Sequence, residues 1–185
     1  MKKLLVILTF AVLTISSALA QDSKDKIKKV TKMDAFTSKT GVMIKYIDYE
    51  FPKIKLSGYL KAENKVRKII CGQEVEYFYQ IIRKGEYDTA IGSIAYQDLI
   101  EVIKAIQSLK IDSESDKTLN PDYLENKFVT DDGFEVGYYV NKSEVKWYVI
   151  LEKYGSENLI TFRNVTELES AFSGAKQKID TLKTL

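Results

Sequence analysis

The sequence predicts an α+β protein made of two tandem β4α units, an internal duplication whose strands form antiparallel sheet with the helices packed on one face. Three observations lead to this prediction. Residues from Tyr59 onward match those from Phe128 onward in chemical pattern, without gaps, at a shift of 69 positions. Each matching segment holds four short runs with the alternation typical of strands. Each segment then ends in an amphipathic helical stripe.

The self-similarity rests on pattern rather than on identity. Residues 78–82 align with residues 147–151, and Leu99 aligns with Leu168. Because few residues are identical, a chance match is the alternative to duplication. If the duplication is real, Leu99 and Leu168 occupy equivalent buried helix positions.

Strands are predicted from alternating apolar residues that end at turn signals. A first strand covers residues 42–51 and is closed by Pro52. The strands of the first unit are predicted at residues 54–61, 65–71, 75–84 and 87–92. Those of the second unit are predicted at residues 124–130, 134–140, 145–154 and 157–162. The Asp132-Gly133 pair between the first two of these is a strong hairpin signal, because glycine accepts a positive φ.

Apolar residues at helical spacing predict one helix at the end of each unit. The first stripe consists of Leu99, Val102, Ile103, Ile106 and Leu109. The second consists of Leu168, Ala171, Phe172, Ala175, Ile179 and Leu182. Asn164 followed by Glu167, or Thr166 followed by Glu169, forms a capping box at the start of the second helix. Each helix is expected to cover one face of the sheet of its own unit.

The first twenty residues have the form of a secretory signal peptide. Lys2 and Lys3 precede an apolar run, and small residues lead to a cleavage site after Ala20. The alternative is an uncleaved membrane anchor, but a spanning helix needs about 20 apolar residues and this run is shorter. The sequence therefore predicts a periplasmic or secreted protein without stable membrane insertion, and its form is typical of bacterial export.

The remaining chain divides by composition. Residues 21–40 are predicted to form a polar, lysine-rich N-terminal arm. Residues 41–110 hold the leading strand and the first β4α unit. Residues 111–123 are predicted to form an acidic linker, and residues 124–185 the second β4α unit.

Charge and residue usage exclude several classes of function. Loss of Lys2 and Lys3 with the leader balances the basic side chains against the 26 acidic ones, which argues against a nucleic-acid partner. The chain has no His and one Cys, so His-dependent catalytic pairs and an intrachain disulfide are excluded. No metal and no cofactor are predicted. Cys71 either packs as a small apolar residue or serves as a reactive exported thiol.

The sequence does not decide whether the chain is an enzyme, although it favours a role without catalysis. No nucleophile, base and orienting group can be named as a set. The acidic run at residues 112–116 lacks the glycine of an EF-hand calcium loop and is interpreted as linker. A small secreted hydrolase that uses carboxylates alone is the alternative function.

The most informative feature is a set of tyrosines. Phe78, Ile82, Trp147 and Leu151 are assigned to the face that the helices cover. The opposite face is then predicted to carry a candidate ligand-binding set of Tyr77, Tyr79, Tyr139 and Tyr148. Tyrosine combines a large contact area with a polar tip, which suits binding of a protein, peptide or carbohydrate outside the cytoplasm. The alternatives are that strands simply favour tyrosine, or that the two units pack these faces together.

Overall fold

The computed structural model describes residues 30–142, 144–152 and 158–184 of the chain. The predicted signal peptide, residues 1–20, lies outside the described residues. The described residues form antiparallel sheets and three α-helices, which confirms a mixed α+β fold. The helices are α1 (Lys32–Thr37), α2 (Tyr96–Asp116) and α3 (Val165–Lys183). The strands are β1 (Ile44–Glu50), β2 (Ile54–Lys55), β3 (Lys61–Cys71), β4 (Glu74–Lys84), β5 (Thr89–Ala95), β6 (Leu124–Val129), β7 (Glu135–Asn141), β8 (Glu144–Ile150) and β9 (Leu159–Thr161).

Sheet 1 has the strand order β1-β3-β4-β5, and β2 pairs with the first residues of β3. As predicted, the first strand ends before Pro52, which cannot donate a ladder hydrogen bond. The strand predicted at residues 54–61 is shorter, because Gly58 adopts a φ of +71° in a tight turn. β2 therefore ends at Lys55, and the chain reverses into β3 at Lys61.

Sheet 2 is a meander with the strand order β6-β7-β8-β9. The hairpin predicted at Asp132-Gly133 is present, with a φ of +88° at Gly133. Thr130 closes this turn, because its backbone N–H donates to the Phe134 carbonyl at 2.9 Å. The two sheets meet where an isolated bridge pairs Leu56 with Phe162.

One apolar core lies between both sheets and the helices α2 and α3. We call the face of each sheet that contributes to this core its inner face. The expectation that each helix covers one face of the sheet of its own unit does not describe the packing. Helix α2 contacts β4 and β5 of sheet 1 as well as β6 and β7 of sheet 2, and α3 contacts α2, β2 and β3. Because the core is shared, a helix that follows one sheet also covers strands of the other.

Helix α1 lies within the segment predicted to be a polar arm. Its start is capped by Thr31, whose Oγ1 accepts from the Asp34 backbone N–H at 3.1 Å. Met33 and Phe36 pack on the outer face of sheet 1, against Phe78 and its neighbours Ile69 and Ala95. A six-residue helix with only two apolar anchors is too short for periodicity to reveal.

The N-terminal segment is also tied by polar contacts to helix α2 and to sheet 2. Lys32 Nζ donates to Asp98, a buried carboxylate in the first turn of α2. The Lys32 backbone N–H donates to Asp132 Oδ2 at 2.9 Å, in the hairpin turn of sheet 2. These contacts anchor α1 at the junction of the two sheets.

Leu99 and Leu168 are both fully buried, each in the first turns of its helix. We expect Leu99→Ala and Leu168→Ala each to lower the free energy of unfolding by about 2–5 kcal/mol, through lost burial and an unfilled cavity. Urea unfolding followed by circular dichroism measures this change. The exposed helix substitutions Gln97→Ala and Ser173→Ala are the controls and should change stability little. A silent substitution at either leucine would contradict the single shared core.

An ion cluster joins β1 to β3 on the outer face of sheet 1. Asp48 accepts from Arg67 through two hydrogen bonds of 2.7 and 2.8 Å, and from Lys65 Nζ at 2.7 Å. The Arg67 guanidinium, followed by Lys65, lowers the pKa of Asp48 to about 2. The guanidinium also lies 5.4 Å from the centre of the Tyr46 ring, which makes this edge of the sheet polar and ordered.

The Asp48 cluster predicts acid sensitivity. Because the folded-state pKa lies below the value of about 3.9 in an unfolded chain, its stabilisation is present above about pH 4. It is lost as the pH falls from there toward 2. We expect Asp48→Asn to be less stable than the wild type at neutral pH and to lose less stability on acidification. Parallel acid-dependent slopes for the two proteins in thermal melts would contradict the assignment.

Candidate functional site

The four tyrosines predicted to share an open face do not share one. Tyr139 and Tyr148 lie on the outer face of sheet 2, as the sequence analysis expected. Tyr77 and Tyr79 lie on the inner face of sheet 1 and belong to the core, with 7% and 0% of their surface exposed. The face assigned to these two residues is therefore wrong, and Phe78 instead faces outward beneath α1.

The error has a simple cause in strand geometry. The gapless shift of 69 equates Phe78 with Trp147, yet Trp147 belongs to the inner core. In the register of the sheets, inner Val66 lies opposite Tyr79, and inner Val136 lies opposite Val149, which is a shift of 70. Because side chains alternate between faces, a slip of one residue moves a whole strand to the wrong side.

Tyr77 and Tyr79 have structural roles in the core. The Tyr77 hydroxyl donates to the carbonyl of Leu182 at the end of α3, at 3.1 Å. The Tyr79 hydroxyl donates to Asn64 Oδ1 at 3.2 Å, and its ring meets Phe172 edge to face. Burial raises the pKa of Tyr79 above its ordinary value. Neither ring is available to a ligand in this structure.

The outer face of sheet 2 is the candidate site. α2 packs on its inner face, where Phe134 also meets Phe172 of α3, and in the described part of the chain no helix is seen on the outer one. Strand alternation places on this outer face Tyr123, Glu125, Lys127, Val129, Glu135, Gly137, Tyr139, Glu144, Lys146, Tyr148, Ile150, Leu159 and Thr161. The face is thus a mixture of aromatic rings and charges on a flat sheet.

Three tyrosines, Tyr123 just before β6, Tyr139 of β7 and Tyr148 of β8, form a row that we call the tyrosine ladder. The rings of Tyr123 and Tyr139 are stacked, with their centres 6.2 Å apart and their planes at 24°. The rings of Tyr139 and Tyr148 lie 6.3 Å apart at 38°. Tyr123 is 61% exposed and Tyr148 is buried, so the ladder runs from the sheet edge inward. Tyr123 is therefore the most exposed of the three rings.

Glu125 holds the ladder together. Its carboxylate accepts from the Tyr148 hydroxyl, and its Oε2 accepts from the Tyr123 hydroxyl at 3.2 Å. Burial, with the nearby Glu125 charge, raises the pKa of Tyr148 above its ordinary value. The same two causes raise the pKa of Tyr123. Lys127 lies beside this group and donates to Glu135 at 2.8 Å.

Gly137 allows this packing, since it lies opposite Tyr148 and Lys127 in neighbouring strands. A Cβ at Gly137 would lie 2.5 Å from the carbonyl oxygen of Asn126 and 2.7 Å from the Cβ of Lys127. Real Cβ atoms do not approach other atoms so closely, so β6 could not keep this position with a larger residue.

Sequence reasoning missed Tyr123 and Glu125. Tyr123 falls in the predicted linker and lies one residue before β6, and its period-two spacing with Glu125 and Lys127 is the signal that places it on the same face. The rest of that linker is also more ordered than predicted, because α2 continues to Asp116. Asp116 accepts from the Tyr138 hydroxyl at 2.6 Å, which helps to raise the pKa of Tyr138, after burial, to about 12. The acidic run is therefore mostly helix rather than a loop.

Comparisons of the chain with protein families, curated proteins and solved structures gave no match. Within the described residues, no helix is long and apolar enough to cross a membrane. The same residues contain no group of three or more potential metal ligands. Cys71 is free and buried at the end of β3.

The tyrosine ladder predicts a measurable titration. We expect Glu125→Gln to lower the pKa of Tyr148 and of Tyr123 toward the ordinary value of about 10, because a neutral amide removes the negative charge beside them. Ultraviolet absorbance of tyrosinate during an alkaline titration reports this change. Glu144→Gln is the control, since Glu144 lies on the same face but pairs with Lys146. Equal titration curves for both variants would contradict the role of Glu125.

Proposed function

We propose that the protein is an exported, soluble binding module whose ligand-contacting surface is the outer face of sheet 2. The tyrosine ladder is the observation that carries this proposal. Aromatic ring faces on an uncovered sheet provide contact area at low entropic cost, and their hydroxyls provide hydrogen bonds. Tyr139 and Tyr148, two of the four residues expected from the sequence, belong to this surface.

The chemistry of the face suits a protein, peptide or carbohydrate ligand outside the cytoplasm. Ring faces at Tyr123 and Tyr139 can stack on the apolar face of a sugar or on an extended side chain. Glu144 and Lys146 form an ion pair on the same face and can accept or donate hydrogen bonds to hydroxyl and amide groups. Charges of both signs within one face favour a neutral or mixed ligand over a polyanion such as nucleic acid.

The test begins with native mass spectrometry of the protein isolated from the exported fraction of its host, which identifies a bound mass. We expect Tyr139→Ser to weaken binding of that ligand at least about tenfold, because the central ring of the ladder is lost. Titration calorimetry with the identified ligand measures the change.

Tyr87→Ser is the matched control, since Tyr87 is an exposed loop tyrosine on sheet 1. It should bind as the wild type does. Circular dichroism must show that both variants remain folded. Wild-type affinity in Tyr139→Ser, or a protein that carries no ligand and binds none on glycan and peptide arrays, would remove the proposal.

The alternative of a carboxylate-dependent hydrolase finds less support in the geometry. A cavity of about 320 Å³ beside Pro52 is lined by two carboxylates, Glu50 and Glu63. Glu63 Oε1 accepts from Lys84 and from Lys53, each at 3.0 Å, and these two ammonium groups lower its pKa. A general acid needs a carboxyl whose pKa is raised, so this pair favours a structural role.

We also propose that the two sheet-and-helix segments are products of an internal duplication. Helix α2 begins at Tyr96 and α3 at Val165, which are 69 positions apart. The β3–β4 and β7–β8 pairs correspond at a shift of 70 when residues on the inner face are matched. A one-residue insertion between strands and helix accounts for the difference, and the β2 segment has no counterpart in sheet 2.

A further inference from the structure

β6 is the outermost strand of sheet 2, and among the described residues its outer edge has no backbone partner. The strand is six residues long and contains neither proline nor glycine. Soluble proteins normally protect such an edge with a bulge, a proline or a covering segment, because its free N–H and C=O groups can pair with another strand. Among the described residues β6 has no bulge, no proline and no covering segment, and its protection is limited to the charged side chains of Glu125 and Lys127.

The residues along this edge are self-complementary. Read outward from Asn126 in both directions, the chain places Glu125 against Lys127, Leu124 against Phe128, and Tyr123 against Val129. In an antiparallel pair of identical strands centred on Asn126, the two residues of each of these pairs would lie directly opposite each other. Two opposite-charge pairs and four apolar contacts would result, and cross-strand pairs of these types stabilise sheets.

We propose that β6 pairs with β6 of a second copy of this chain, antiparallel, about a two-fold axis at Asn126. The contact is isologous, so each copy uses the same surface and the assembly closes at two. Sheet 2 of one copy then continues into sheet 2 of the other, and their outer faces lie on the same side. Complementary charge at Glu125 and Lys127 sets the register, since a shift by two residues would remove both ion pairs.

Exposure along the edge agrees with a missing partner. Tyr123 and Val129, at the two ends of the strand, are 61% and 47% exposed. A groove of about 430 Å³ lies between α2 and β6, and its lining combines the charged residues Glu101, Lys104 and Asp112 of α2 with Leu109, Asn126 and Phe128. Partner side chains at the inner-face positions of β6 would approach this groove. Burial of these apolar groups would add to the backbone hydrogen bonds of the joined strands.

The first strand of sheet 1 shows that this pattern is specific to β6. Centring β1 on Ile47 sets Lys45 against Tyr49 and Ile44 against Glu50. No opposite-charge pair forms in that register. Outer-edge position alone therefore does not produce the self-complementarity that β6 has.

The proposal does not depend on ligand binding by the tyrosine ladder, but it extends that surface. The joined sheet would carry both ladders on one face, with each Tyr123 beside Val129 of the partner. A ligand of the outer face would then meet two copies of the site related by the two-fold axis.

Analytical ultracentrifugation over a range of protein concentrations tests the assembly. We expect the wild type to form a dimer. In Lys127→Glu its dissociation constant should rise about tenfold or more, because Glu125 would then face a glutamate of the partner on each side of the axis. Lys146→Glu is the matched control, because Lys146 lies on the same face in β8, away from the edge. It should dimerise as the wild type does, and circular dichroism must show the native fold in both.

Cross-linking tests the register without relying on charge. Asn126→Cys places two cysteines directly opposite each other on the axis, so mild oxidation should form an intermolecular disulfide. Lys127→Cys is the control and should not cross-link, since its partner residue is Glu125. Buried Cys71 gives no background in the native protein. A protein that stays monomeric at its highest soluble concentration, or a dimer that survives Lys127→Glu and does not cross-link through residue 126, overturns the proposal.

Discussion

The alternation of side chains between the two faces of each strand is the constraint on which this structure depends. Each sheet has one face committed to a core that both sheets share with α2 and α3. Once Val66 and Tyr79 face inward as a pair, every second residue of β3 and β4 is committed to the same side. The outer faces are then defined by the residues that remain.

Tyrosine occurs on both the inner and the outer faces of the sheets, and on each face its hydroxyl makes a hydrogen bond. On the inner faces, Tyr77 donates to the Leu182 carbonyl of α3 and Tyr138 donates to Asp116 of α2. Each buried hydroxyl thereby ties a strand to the C-terminal end of a helix, which avoids an unsatisfied polar group in the core. On the outer face of sheet 2, Tyr123 and Tyr148 share the carboxylate of Glu125 instead. The same residue type thus fastens the core and forms the candidate site.

Much of this fold follows from periodicity in the sequence, whereas the placement of the site follows only in part. The strands of sheet 2 and the start of α3 at Asn164 could be predicted, because alternation, the Asp132-Gly133 turn and a capping box are local signals. The inward position of Tyr79 could not be predicted from alignment with the second unit. Periodicity says which residues share a face, but it does not say which face is covered, and a one-residue offset between strands reverses the answer. Helix α1 could not be predicted, because its two apolar residues are too few to show a helical period.

Glu125 shows why the edge of sheet 2 and the tyrosine ladder form one surface rather than two. Its carboxylate accepts hydrogen bonds from the hydroxyls of Tyr148 and Tyr123, the innermost and outermost rings of the ladder. Its Oε1 also lies 3.8 Å from Nζ of Lys127 in the same strand. A carboxylate has acceptor sites for several donors, so contact with a lysine across the strand edge is compatible with both tyrosine bonds. Pairing at β6 would therefore bring positive charge toward the group that orders the ladder. In such a dimer, order in the rings and occupancy of the edge would be coupled through this one side chain.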